Sequence, residues 1–309
     1  MDETQRLRWL DELLDELLDE VLIAIASEPK LAGAMVLRGG RILRRILGSR
    51  GRLSTDLDAT LVSSAGASEA ARNERGAVIR DALGDALRRR FAARGDGRFI
   101  LGELTFRLKP KAAHPFGWDM LLFEARVEDA ESRGVLGLPS LILEIAAPED
   151  LAVGSVESHT VGAGVVSIYT LERQAAEKLR AFLQSSAPHR AFIGSGPRAL
   201  RIRDLYDLGE VIRVRPSTDR GFWDRVAEEF VRACRSRYVN CEGQATFEAE
   251  RATAESTWLR DPGLSQRRAF DDVWEDLRAI VRELTARIAD TVRCDVPRRE
   301  PQQEVGGRN

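Results

Sequence analysis

The chain is poor in the residues that announce several common chemistries. Its three cysteines, Cys234, Cys241 and Cys294, fall late in 309 residues and lack metal-site spacing. An odd number so placed argues against a disulfide scaffold and fits a reducing compartment. The three histidines, His114, His159 and His189, form neither a Ser/His/Asp arrangement nor a metal pattern, and His159 reads as a loop residue. No apolar run approaches the roughly 18 residues of a membrane span. The N-terminus is acidic and amphipathic, unlike a secretory signal. A cytoplasmic protein without a membrane partner is expected. Neither sign of charge is in excess: 47 Lys and Arg against 49 Asp and Glu leave a net charge of −2. Nucleic acid therefore has no global basic field to meet, and any RNA contact must come from a local patch. Gly194-Ser195-Gly196-Pro197 lacks the Lys-Ser/Thr that would make a phosphate loop specific.

What is present is a globular chain of 43% hydrophobic content, long enough for one large domain or two smaller ones. Residues 5–26 carry Leu7, Leu10, Leu13, Leu14, Leu17, Leu18, Leu22 and Ile23 at helical spacing, with Asp and Glu filling the other face in a DELLDELLDE near-repeat. A packed helix is expected there. Ala67–Ala93 is a second helix, with Val78, Ile79, Leu83 and Leu87 on one stripe and Gly95-Asp96-Gly97 ending it. Phe99–Leu108, Trp118–Val127, Leu141–Ala146 and Val165–Tyr169 read as strands. Leu171–Leu183 and Arg201–Val214 read as helices. Pro216-Ser217-Thr218 breaks the pattern, and a domain boundary is placed there. The expected organisation is a catalytic domain over 1–215, a helical domain over 216–296, and a disordered tail over 297–309.

The densest chemistry lies early. Ala34-Met35-Val36-Leu37 leads through Arg38 into Gly39-Gly40, a short helix follows, and Asp56-Leu57-Asp58 comes sixteen residues after Gly40. Acids at i and i+2 of a strand share a face while Leu57 points to the core. Two carboxylates aimed at one spot repel unless a cation lies between them, and Mg²⁺ suits an oxygen-lined site shared with phosphates. Glycines at a helix start let backbone approach an anion. Glu144, alone in the apolar run Leu141–Ala146, is a third candidate carboxylate, with Glu124 as its rival. Lys178 is a point charge suited to a triphosphate. Asp204 and Asp207, at i and i+3, share a helix face and could hold Lys178 or a ribose.

Taken together these pieces resemble the AbiEii/AbiGii-type toxin nucleotidyltransferases. The resemblance rests on Gly39-Gly40, on Arg52-x-Ser54-x-Asp56-Leu57-Asp58, and on Tyr169-x-Leu171-Glu172. Glu177-Lys178-Leu179-Arg180 and Arg203-Asp204-Leu205-Tyr206-Asp207-Leu208 complete it, in order, over about residues 34–210. It implies an α+β, polymerase-β-like nucleotidyltransferase core, a mixed sheet with flanking helices, followed by a helical C-terminal region. It implies two Mg²⁺ ions, an NTP donor, and a toxin–antitoxin pair with a cognate antitoxin. Some relatives extend the acceptor end of tRNA. Carried over, Asp56, Asp58 and Glu144 would hold metal, Gly39 and Gly40 would cradle phosphate, Lys178 would contact the triphosphate, and Asp204 would support catalysis. Asp207 is placed with the nucleotide-binding residues.

Two departures matter: the region from Phe99 to Asp129, with Lys109-Pro110-Lys111 and His114-Pro115, is unlike a typical member, and the glycine turn differs. The family usually has Thr or Ser after the second glycine, where this chain has Arg41, so Ser49 or Ser54 would have to supply the hydroxyl. Arg41 and Ser54 are placed with the phosphate-binding residues. An RNA acceptor is expected, met by Arg38, Arg41, Arg44, Arg45, Arg50 and Arg52. Nucleotidylation of a small molecule such as an aminoglycoside, and a degenerate binding protein of the same fold, are the alternatives.

Overall fold

The structure is a computed structural model that describes residues 3–48, 54–66, 68–109, 120–132, 138, 140–187, 190, 199–237, 247–261, 264 and 268–291. Ser49, Arg50, Arg52, Trp118, His114, His189, Gly194–Pro197, Cys241, Cys294 and the tail from Pro297 lie outside the described residues.

The N-terminal helix α1 (Glu3–Ala26) is followed by one turn, α2 (Pro29–Ala32), then β1 (Met35–Arg38), α3 (Gly39–Leu47), β2 (Leu57–Leu61) and α4 (Glu69–Arg94). Ser68 caps α4 by accepting from Ala71 N–H, and Gly95 ends it in the left-handed region, φ 73°. Strands β3 (Phe99–Lys109), β4 (Met120–Asp129), β5 (Leu141–Ala146), β6 (Val156–Val161) and β7 (Gly164–Tyr169) come next. Five helices close the described chain: α5 (Leu171–Ser185), α6 (Ile202–Val214), α7 (Arg220–Arg237), α8 (Arg251–Arg260) and α9 (Phe270–Thr291).

The seven strands form one mixed sheet in the order β3-β4-β5-β2-β1-β7-β6. Strand β1 runs antiparallel to β2 and parallel to β7, and β2 runs parallel to β5. Alternation sorts the side chains between the two faces. Leu37, Leu57, Ala59, Leu143, Ile145 and Ile168 pack with α1 and α4 into one core. Arg38, Asp58 and Glu144 fall at the alternate positions and so face the other way. A second core gathers α5–α9 around Phe182, Phe230, Phe247, Trp258 and Trp274, and draws on both sides of Pro216. Among the described residues no helix is long and apolar enough to cross a membrane.

Three sequence expectations need correction. His159 lies in β6 opposite Val166, not in a loop. That strand is at the sheet edge and largely polar, so it lacks an apolar alternation. Val78 is 54% exposed while Ile79, Leu83 and Leu87 are buried; one residue of helix turns a side chain by about 100° off the stripe. Asp56 stands just before β2, which begins at Leu57, so strand alternation does not by itself aim its carboxylate.

Candidate active site

Three charged residues lie side by side across the middle of the sheet. Arg38 of β1 pairs with Asp58 of β2, and Asp58 pairs with Glu144 of β5. Neighbouring strands are about 4.8 Å apart, so these side chains rise from adjacent points on one face. Glu124 shares that face but pairs with Ile142, two residues along β5 and one strand farther from Asp58. Register therefore puts Glu144, not Glu124, beside Asp58. Lys109 of β3 reaches Glu144 with Nζ at 3.5 Å.

The glycine turn meets this row at Asp58. Gly39 opens α3 with φ 83°, and a Cβ there would collide with Asp58 Oδ2. Glycine is needed both for the backbone conformation and for the close approach of the carboxylate. The N–H of Gly39 donates to Gln174 Oε1 of α5 at 3.1 Å, and Gln174 is fully buried. Gly40 and Arg41 continue the first turn of the helix. Ser54 donates from Oγ to the main-chain O of Asp56 at 3.0 Å and to its Oδ1 at 3.1 Å. Buried there, this hydroxyl fixes Asp56; it is not presented as a phosphate donor.

The acids are unevenly compensated. Burial pushes the Asp58 carboxyl up, and nearby Asp56 pushes it further, against the pull of Arg38, Lys178 and Arg201. Asp204 goes the other way: burial raises it, but Lys178 and Arg201 outweigh burial and hold it well below the usual carboxylate range. Lys178 Nζ lies 2.8 Å from Asp204 Oδ1 and 2.8 Å from Asp207 Oδ2. The i, i+3 spacing of the two aspartates thus closes around one ammonium, which is only 7% exposed. The expected reach of Lys178 to a triphosphate runs against this placement, because two charged bonds already hold it.

Of the arginines expected to form an RNA patch, the four among the described residues are also engaged. The Arg41 guanidinium is buried against Asp15 and Asp19 of α1, so it does not extend to a phosphate at the glycine turn. Arg44 reaches Asp15 at 2.7 Å and Arg45 reaches Asp19 at 3.1 Å. The acidic side of α1 is their counter-charge. Arg38 is shared with Glu177 at 3.4 Å and Glu149 at 3.7 Å.

Sequence reasoning missed the ion network behind Arg38. Arg173 of α5 is fully buried and bonds Glu149 at 2.8 Å, Glu177 at 2.9 Å and Glu229 at 2.9 Å. Burial raises Glu177, yet Arg180, Arg173 and Arg38 together keep it well below its ordinary value. The network joins β1, the segment after β5, α5 and α7. Glu177 and Arg180 stand in a quoted motif, but only packing shows their partners. Gln174 and Arg201 were missed as well; the one signal for each was its place next to a motif.

The family model for the nucleotidyl transferase AbiEii toxin of type IV toxin–antitoxin systems matches residues 20–293. This chain is an AbiEii-family nucleotidyltransferase. The AbiEii assignment makes it the toxin type of a toxin–antitoxin pair, with an NTP substrate and an antitoxin partner. Among solved structures it is similar to a candidate nucleotidyltransferase from H. pylori. That match has a TM-score of 0.50 and 14% identity, and covers 94% of this chain and 98% of that one. The JHP933 protein of Helicobacter pylori matches with TM-score 0.50 and 15% identity, covering 91% of this chain and 94% of that one. At such identities the likeness speaks for the fold, a nucleotidyltransferase-like mixed sheet followed by C-terminal helices. No curated protein matches the chain.

AbiEii-family nucleotidyltransferases work with divalent metal ions in general, and the donor set here fits a hard cation. Asp58 is a buried carboxylate pushed up by Asp56, the condition a divalent cation relieves. Among the described residues no three carboxylates already converge into a metal shell. A complete protein shell is not required, because Mg²⁺ keeps waters and takes phosphate oxygens alongside one or two carboxylates.

Proposed function

We propose that this toxin transfers a nucleoside monophosphate from an NTP to an RNA acceptor, with tRNA as the favoured class, in the bacterial cytoplasm. The observation that carries the reading is the register pair Asp58–Glu144, set against the Gly39 turn with Asp58 lacking full compensation. Asp56, Asp58 and Glu144 would hold two Mg²⁺ ions, which lower the pKa of the acceptor hydroxyl and screen the phosphates. The first turn of α3 beyond Gly39, whose own N–H is held by Gln174, would offer backbone N–H groups to the donor phosphates. The acceptor hydroxyl oxygen forms the new bond to the α-phosphorus. The bond from that phosphorus to the α,β-bridging oxygen breaks, and pyrophosphate leaves. Glu144, half-buried beside Lys109, would take the hydroxyl proton. Lys178, Asp204 and Asp207 hold α5 against α6 behind the acids.

A second reading is favoured by one observation. Because α1 neutralises Arg41, Arg44 and Arg45, the described face around Asp58 keeps its acids more than its cations. Such a face suits a small polycationic acceptor such as an aminoglycoside. Label transfer separates the two. Full-length protein with Mg²⁺, each α-labelled NTP in turn and total bacterial RNA should label RNA, and the Asp56→Ala/Asp58→Ala variant should not. Pyrophosphate release with an aminoglycoside and no labelled RNA would move the assignment to the second reading. No transfer to either acceptor would refute both.

A further inference from the structure

A protein cation besides metal suits the donor triphosphate, and four described residues near the acids are candidates for it. Arg38 is 14% exposed and is shared between Glu149 and Glu177, with Nε on the main-chain O of Ala59. Lys178 is closed between two aspartates. Lys109 sits on Glu144, which the proposed function places on the acceptor side. Arg201 differs from all three. Its side chain is 61% exposed, and among the described residues only Nε is engaged, on Asp204 Oδ2. Its two terminal amino groups carry four N–H donors in a planar fork, and no hydrogen bond or ion pair among the described residues uses them. Arg201 also lies close enough to Asp56 and Asp58 for both to act on its charge.

The backbone beneath this side chain is fixed. Arg201 N–H donates to Ser185 Oγ at 3.0 Å, and its carbonyl accepts from Asp204 N–H at 2.9 Å. The Nε–Asp204 bond then sets the direction of the fork. A held guanidinium with open terminal donors suits a phosphate group, which it can bind through two parallel bonds. Lys178 has the complementary design: a buried ammonium whose removal would leave Asp204 and Asp207 facing each other.

We infer that Arg201, not Lys178, receives the β- and γ-phosphates of the donor, and that Lys178 is the internal strut that positions Asp204 and, through it, Arg201. This rests on the nucleotidyltransferase reading above. Through its terminal amino groups Arg201 offsets the charge that gathers on the leaving pyrophosphate. No covalent bond to the protein forms.

The test uses the full-length protein and inorganic tripolyphosphate with Mg²⁺, a probe that carries the phosphates without base or ribose. Calorimetric titration should show Arg201→Ala binding tripolyphosphate and NTP about tenfold or more weakly than wild type, the loss expected for one charge-assisted phosphate contact. Its melting temperature should fall less than that of Lys178→Met, because Asp204 keeps the Lys178 ammonium, and Arg201→Lys should recover part of the affinity. In label transfer the KM for NTP should rise more than kcat falls. Lys178→Met should lower the melting temperature more. Arg201→Ala binding tripolyphosphate as wild type does, in a protein that binds NTP, overturns the inference and leaves the nucleotidyltransferase reading intact. Wild type binding neither tripolyphosphate nor any NTP overturns both.

Discussion

Removing Arg173 should destabilise the protein more than any other single charge deletion at the site. Its guanidinium has no exposed surface and bonds three carboxylates, at 2.8 Å to Glu149, 2.9 Å to Glu177 and 2.9 Å to Glu229. Arg173→Met keeps a similar apolar stem but leaves those acids buried with fewer counter-charges. Breaking a buried ion pair from one side costs about 3–5 kcal/mol, out of a total stability of about 5–15 kcal/mol. At about 2 °C per kcal/mol for a chain of this size, the melting temperature should fall by about 6–10 °C. The deficit should depend on pH. In the wild type Glu177 is held below its ordinary value of 4.5. Its ionised form therefore adds stability above about pH 4.5 that is lost as acid protonates it. Without Arg173 the folded-state pKa of Glu177 moves up, so the variant gains most from protonation as pH falls. The gap between variant and wild type should be full above about pH 4.5 and should narrow as pH falls below that value. Scanning calorimetry across that range measures it, and Arg173→Lys should fall between the two proteins. A gap under 2 °C near neutral pH, or one that stays the same as the scan is carried well below pH 4.5, would refute the argument that this network is a tightly held set of ionised groups.

Three further outcomes are expected. Gly39→Ala should abolish transfer and cost about 1–3 kcal/mol in urea unfolding, because a Cβ meets Asp58 and φ 83° strains an L-residue; a variant with normal activity would refute the close-approach role. Asp58→Asn should lose activity yet melt at or above wild type in metal-free buffer at pH 7. The folded pKa of Asp58 is raised, so its ionisation costs stability as pH rises above the ordinary value of 3.8, and the amide removes that cost. A clear drop in melting temperature would count against this sign. Asp15→Asn/Asp19→Asn should release Arg41, Arg44 and Arg45 and strengthen non-specific RNA binding with a steeper salt dependence; an unchanged salt slope in filter binding would show that these arginines stay out of reach.

Much of the frame is legible in the chain because the signals are local. Leu141–Ala146 alternates an apolar core face with Glu144, and the observed β5 has those bounds. The apolar repeat of α1, the glycine stop of α4, and the i, i+3 aspartates of α6 likewise follow from spacing within one element. Strand β6 was hidden because an edge strand of Val156-Glu157-Ser158-His159-Thr160-Val161 buries too little to show a pattern. Arg41 was misplaced for a different reason. Its sequence neighbours are the phosphate-turn glycines, whereas its partners, Asp15 and Asp19, are more than twenty residues upstream on another helix.

By itself the sequence determined which face of a strand or helix its candidate residues occupy within each element, since backbone geometry repeats every two or 3.6 residues. Register decided that Asp58 stands between Arg38 and Glu144 and that Glu124 does not, because that depends on which strands pair and where. Packing decided which charges remain available. Burial makes an unpaired ion costly, so Arg41, Arg173 and Lys178 each took a carboxylate from a distant element, while Arg201, at the surface, kept its terminal donors open.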